Sequence, residues 1–123
     1  KVMPIKKILI VDDSPTERHA LSELLVKSGF NVVTAESGEE AIAKSKSEMP
    51  DLILMDVVMP GMNGYQATRT ITREEATKHI PVVMCTSKGQ ETDKIWGMRQ
   101  GANDYLVKPI DPKVLLEKIA ALG

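Results

Sequence analysis

An α/β fold, a single-domain (βα)5 doubly wound sheet of five parallel strands, is what this sequence predicts, on three observations. Five short apolar runs of strand length alternate with five segments of helical periodicity. That alternation calls for a parallel sheet with right-handed crossovers and helices on both faces. The run Leu52-Ile53-Leu54-Met55 is apolar without interruption, as a strand buried on both faces must be, and it delivers one carboxylate, Asp56, before breaking at Pro60 and Gly61. Two other runs also end in chemistry: Ile8-Leu9-Ile10-Val11 meets Asp12-Asp13, and Tyr105-Leu106-Val107 meets Lys108-Pro109.

Each element carries its own signals. Lys7 to Val11 reads as the first strand. In Ser14-Pro15-Thr16-Glu17 a serine stands at the N-cap, a proline at the first helical position and a glutamate at the third, a capping box that opens an amphipathic helix through Leu21, Leu24, Leu25 and Ser28. Gly29 ends it. Asn31 to Ala35 is the second strand, and Ser37-Gly38-Glu39-Glu40 repeats the capping box ahead of a helix from Ala41 to about Glu48, closed by Pro50. The third strand ends at Asp56, and a loop with Pro60, Gly61 and Gly64 leads to a helix from about Tyr65 to Arg73. Pro81 to Thr86 is the fourth strand. The helix Glu91 to Gln100 contains Gly97, which costs roughly 1 kcal/mol relative to alanine and makes it the least stable helix. Within it Ile95 and Met98 continue to Ala102 as a core-facing stripe, which leaves Trp96 about 100° around the helix and only partly buried. Asp104 to Lys108 is the fifth strand, and Asp111-Pro112 caps a closing helix through Val114, Leu115, Ile119 and Leu122.

Composition narrows the function classes. Over 123 residues the formal net charge is −1 and nothing basic clusters along the chain, so long-range attraction for nucleic acid or an anionic membrane is missing. The single Cys85 cannot form an internal disulfide or a thiolate metal knuckle, and within Val82-Val83-Met84-Cys85 it reads as a small buried hydrophobe in a protein of the reducing cytoplasm. No apolar run approaches the roughly 18 residues of a membrane span, and no signal peptide precedes the first strand. There is no repeat, low-complexity tract or linker.

A parallel sheet brings all strand carboxyl ends to one edge, where open α/β sheets bind ligands. Asp12, Asp13, Asp56, Thr86, Ser87 and Lys108 all fall there. Taken singly, Asp56 reads as an acid opening a turn, Lys108 as a solvated surface lysine and Thr86 as an ordinary strand residue. Jointly, three converging carboxylates repel and lose hydration, so the cluster asks for a cation. Oxygen ligands without His or Cys select a hard ion, and a site that keeps waters beside a phosphoryl group suits Mg²⁺. Lys108 is a flexible point charge for an anion and Thr86 a hydroxyl donor, so the edge can hold a phosphoryl group on one carboxylate, a known covalent acceptor. The ion, Lys108 and Thr86 would then offset charge on the equatorial oxygens during transfer.

The ordered set Asp12-Asp13, Asp56 with Met59-Pro60-Gly61 and Gly64, Thr86-Ser87, and Tyr105 with Lys108-Pro109 resembles the CheY-like response-regulator receiver domains over nearly the whole chain. The resemblance implies a flavodoxin-like strand order 2-1-3-4-5. It implies Asp56 as phosphoacceptor, Mg²⁺ bound directly by Asp13, Asp56 and the backbone carbonyl of Val58, and Asp12 acting mainly through water. It makes Lys108 and Thr86 catalytic, and Thr86 and Tyr105 a switch in which Tyr105 turns inward when Thr86 moves to the phosphoryl group. It also implies a cis Lys108-Pro109 bond. A narrower similarity, in Asn63-Gly64-Tyr65-Gln66-Ala67-Thr68-Arg69 and Gln90-Glu91-Thr92-Asp93-Lys94-Ile95-Trp96-Gly97, is to the PilH-type regulators of type IV pilus twitching motility, part of a chemosensory pathway. The implied partners are a CheA-like histidine kinase or a phosphotransfer domain, and a downstream protein on the face formed by the Glu91–Gln100 helix, strand five and the last helix. By the same resemblance the protein is a monomeric stand-alone receiver without an output domain, no enzyme beyond self-catalysed phosphotransfer and autodephosphorylation. Two departures from CheY bear on the lifetime of the phosphorylated form: Val58 where CheY has an amide, and Lys88 where CheY has an acid.

Two other classes compete. An aspartate-nucleophile phosphohydrolase would need the Asp-x-Asp arrangement that Asp12-Asp13-Ser14 lacks, and a cap domain that this length does not supply. A flavin carrier would need backbone donors and hydroxyls where the acidic loop after strand one repels a phosphate. Within the receiver reading, a phosphate sink or scaffold is the alternative to an output switch.

Overall fold

The computed structural model describes residues 4–87 and 91–123, the side chains of 91–94 excepted, so Lys88 lies outside the described residues. Five strands, β1 (Lys7–Val11), β2 (Asn31–Ala35), β3 (Leu52–Asp56), β4 (Val82–Ser87) and β5 (Asp104–Lys108), alternate with α1 (Pro15–Lys27), α2 (Gly38–Ser47), α3 (Gly64–Arg73), α4 (Glu91–Arg99) and α5 (Pro112–Leu122). They form one parallel sheet in the order β2-β1-β3-β4-β5, as expected. The middle strand β3 is buried at all five positions, which is why its sequence shows no polar alternation.

The two-residue period of the strands sorts the core into halves. Leu9, Val11, Ile53, Met55, Val82 and Met84 pack with Ala41 of α2 and with Ala67 and Ile71 of α3. Ile8, Ile10, Leu52, Leu54, Val83 and Cys85 pack with Leu25 of α1 and with Leu115 and Ile119 of α5. Burying each large aliphatic side chain contributes about 1.5–3 kcal/mol relative to leaving it in water.

The helix starts differ from expectation in detail. Ser14 Oγ accepts from the Glu17 N–H at 3.3 Å, but the Glu17 carboxylate goes to Lys108 and does not return to close the box. Ser37 Oγ accepts from Glu40 N–H at 3.1 Å, while the Glu40 carboxylate takes the N–H of Glu36 at 2.7 Å, a bond that, with Lys44 beside it, holds that carboxyl below its ordinary range. A complete capping box appears instead at Asn63 and Gln66, and it starts α3 at Gly64, one residue earlier than expected. Strand β4 begins at Val82, not Pro81, and α4 stops at Arg99.

One expectation about α4 is overturned. Ile95 and Met98 do not face the core: they are 49% and 48% exposed, and Gly97 is the buried residue between them. A Cβ on Gly97 would lie 2.9 Å from Met84 Cγ, so the bare glycine lets α4 settle onto β4, and its flanking side chains turn outward. Trp96 is half-exposed, with the Arg99 guanidinium 5.7 Å from its ring centroid. The Lys108–Pro109 bond is cis, and among the described residues no helix is long and apolar enough to cross a membrane.

Candidate functional site

Strand polarity assembles the site. Val11 pairs with Met55 in register, so the residues that follow, Asp12 and Asp56, leave the sheet side by side. Both are buried, Asp13 is exposed, and one carboxylate oxygen from each of the three lies within 4.8 Å of the others. Lys108 reaches them from the end of β5, its Nζ 2.9 Å from Asp56 Oδ1, 3.2 Å from Asp12 Oδ2 and 3.2 Å from Glu17 Oε1. Asp12 is fixed from two sides: its Oδ1 accepts from the Ser14 N–H at 2.9 Å, and Arg18 Nη1 donates to its carbonyl at 2.8 Å. The chain beyond Asp56 folds back so tightly that Gly64 N–H donates to the Val57 carbonyl at 2.8 Å, and a Cβ on Gly64 would stand 2.0 Å from the carbonyl oxygen of Asp56.

Charge and burial set the protonation chemistry. Burial pushes the Asp56 carboxyl up to about 6; the hydrogen bond from Lys108 pulls it down, and the charges of Asp12 and Asp13 push it up again. Burial alone would lower the Lys108 ammonium, but its hydrogen bond to Asp56 and the charges of Asp56 and Asp12 outweigh that and keep it firmly charged. Cys85, beside Asp56 in register, is pushed up to about 12 by burial and is no nucleophile. Three carboxylates, Asp12, Glu17 and Asp56, thus share one ammonium, Asp13 adds a fourth carboxylate to the edge, and with oxygen donors alone Asp12, Asp13 and Asp56 fit a hard divalent cation such as Mg²⁺.

Thr86 and Tyr105 stand next to this cluster. Thr86 is 1% exposed, and its Oγ1 has no hydrogen-bond partner among the described residues. Tyr105 lies opposite Met84 and Val107 opposite Thr86, so Thr86 and Tyr105 share one face of neighbouring strands. Tyr105 is half-buried against the α2–α3 side of the core, with the Lys118 ammonium 5.7 Å from its ring centroid. Val58, two residues past Asp56, holds its side chain in solvent, as does Ser87. Two residues escaped the sequence reading, Glu17, read only as a cap partner, and Arg18, which steadies Asp12; Gly64 entered as part of a turn and of the family pattern, without the close approach that requires it. For Glu17 the available signal was its place in the first turn of the helix that follows Asp12-Asp13.

The comparisons agree with this architecture. The model of the response regulator receiver domain matches residues 8–120. The protein PilH of Pseudomonas aeruginosa is 54% identical over 116 residues, 94% of this chain and 96% of PilH. The phosphate regulon transcriptional regulatory protein PhoB of Escherichia coli is 39% identical over 117 residues, 95% of this chain but only 51% of PhoB. Among solved structures, the chemotaxis protein CheY4 of Vibrio cholerae superposes with a TM-score of 0.90 at 34% identity, over 97% of this chain and 99% of that one. The match over residues 8–120, together with the sheet order and the edge just described, shows that the chain belongs to the response regulator receiver domain family.

Proposed function

We propose that the protein is a cytoplasmic phosphorylation switch in which Asp56 receives a phosphoryl group from a CheA-like histidine kinase or a phosphotransfer domain. The observation that carries this reading is the Lys108 ammonium 2.9 Å from Asp56 at the acidic edge, beside the buried hydroxyl of Thr86, which has no partner among the described residues. An Asp56 oxygen forms the bond to phosphorus as the donor's P–N bond breaks, and the leaving imidazole takes that electron pair. Mg²⁺, held by Asp12, Asp13, Asp56 and the Val58 carbonyl, would supply charge neutralisation at the phosphoryl oxygens. Lys108 passes from the carboxylate to a phosphoryl oxygen, and the Thr86 hydroxyl gains a phosphoryl acceptor. With Thr86 drawn to that edge, Tyr105 turns inward beside it.

The readout face is α4, β5 and α5, where Ile95, Trp96 and Met98 stand exposed in a row. The 54% identity to PilH supports a place in the chemosensory control of type IV pilus twitching motility. Wild type and Asp56→Asn, treated with a phosphorylated kinase or with acetyl phosphate, with and without a chelator, are compared by protein mass. Only wild type with Mg²⁺ should gain a phosphoryl group. Labelling of Asp56→Asn to the same extent, or labelling indifferent to chelator, would sink the assignment.

A further inference from the structure

At the end of the sheet remote from Asp56, just before Val82 and Asp104 start their strands, lies a cavity of about 350 Å³. That is within the roughly 300–1,000 Å³ range of small-ligand sites. Arg73 reaches it from the last turn of α3, Lys78 and His79 from the loop before β4, and Arg99 from the last turn of α4. Among the described residues no carboxylate lines it. Of the acids nearest in the chain, Glu74 pairs with Lys46 at 2.8 Å and Glu75 with Lys78 at 3.0 Å. Arg73, His79 and Arg99 have no carboxylate partner among the described residues. A cation at the carboxyl end of a helix offsets the helix dipole, which accounts for one arginine on each of α3 and α4. It does not account for Lys78 and His79 lining the same space.

The walls are already tied together. Thr72 Oγ1 donates to the Gln100 carbonyl at 2.8 Å, joining the ends of α3 and α4, and Val82 N–H donates to Asn103 Oδ1 at 2.9 Å. A cavity lined by basic residues in a chain of net charge −1 discriminates by sign. Two arginines add geometry, because the planar fork of a guanidinium matches the paired oxygens of a phosphate; His79 stands beside them, and the Lys78 ammonium, which Glu75 holds at 3.0 Å, can exchange that carboxylate for an anion. We propose that this cavity binds a small phosphorylated molecule carrying at least two negative charges, independently of Asp56 and of its phosphorylation. Arg99 also lies against Trp96, so a ligand that draws the guanidinium into the cavity reports itself in Trp96 emission.

Metal-free wild type and Asp56→Asn are titrated with pyrophosphate, ADP, inorganic phosphate and citrate, by calorimetry and by Trp96 emission. One saturable site is expected for pyrophosphate or ADP, equal in both proteins and weakening steeply with salt. The pair Arg73→Gln with Arg99→Gln should lose at least about tenfold in affinity. Lys78→Gln with His79→Gln, in a loop, serves the same purpose should the first pair unfold. Three outcomes overturn the proposal: no saturable binding, binding untouched in both double variants, or citrate binding as tightly as pyrophosphate. Loss of binding in Asp56→Asn alone would also overturn it, by moving the anion to the acidic edge.

Discussion

Replacing Thr86 by valine should stabilise the unphosphorylated protein. The hydroxyl is buried and has no partner among the described residues, and a hydroxyl withdrawn from water without a hydrogen bond costs about 1–3 kcal/mol. Valine keeps the shape and the strand preference and removes the cost, so Thr86→Val should gain about 1–2 kcal/mol in a position where most substitutions lose. In a chain of this length that corresponds to a rise in Tm of roughly 3–10 °C. Thr86→Ala gives up a methyl group worth about 0.8 kcal/mol and should stay near wild type. Urea unfolding followed by circular dichroism measures all three. Beryllofluoride with Mg²⁺ should then raise the Tm of wild type more than that of Thr86→Val, because only the threonine gains a charge-assisted bond, worth about 1.5–3 kcal/mol. A valine variant less stable than wild type, or equal responses to the phosphoryl mimic, would refute an unpartnered hydroxyl held in reserve.

Four further outcomes are expected. The folded Asp56 carboxyl sits near 6 against 3.8 for the ordinary group, so its contribution favours the fold fully below 3.8 and is lost as pH rises through 6. In metal-free protein the stability of wild type relative to Asp56→Asn should therefore climb by about 2 kcal/mol between about pH 7 and pH 4, and a flat difference in urea melts counts against it. Lys108→Gln removes the ammonium that Asp12, Glu17 and Asp56 share, so Mg²⁺ should bind several-fold tighter by thermal-shift titration; weaker binding contradicts the charge balance described. Gly64→Ala should lose about 1–3 kcal/mol and slow acetyl phosphate labelling, since the new Cβ would meet the Asp56 backbone; unchanged stability and rate dismiss the contact. Trp96 emission should change when beryllofluoride binds wild type but not Thr86→Ala, and a silent wild-type spectrum with the mimic bound removes α4 as the moving part.

Much of the fold was legible because its strands are apolar runs of one length and their ends fall where residue chemistry changes. The acidic edge was legible for the same reason: parallel strands carry Asp12, Asp56 and Lys108 to a common edge whatever their distance along the chain. What escaped is physical too. Periodicity placed Ile95 and Met98 in the core because it weighs side chains, and the residue that seats α4 has none. Glu17 had two suitors, the N–H groups of its own helix start and an ammonium from the far end of the chain, and only the folded chain brings the second within 3.2 Å. The basic cavity was invisible for a related reason: its residues come from three places, Arg73 and Arg99 at the ends of two helices and Lys78-His79 in a loop, and form no basic run.

Gly64 and Gly97 are both buried, yet they differ in what presses on them, and mutation can explore them differently. At Gly64 the obstacle is the carbonyl of Asp56, which every residue at that position would carry, so no second substitution at position 56 can relieve a Cβ there. At Gly97 the obstacle is the Cγ of Met84, a side-chain atom that a smaller residue would lack. A loss at position 97 therefore has a suppressor one residue away in space, whereas a loss at position 64 has none of that kind. In a lineage or a selection experiment the acceptor end of this fold should stay as it is, while the seat of α4, and with it the face turned to partners, can drift through paired changes.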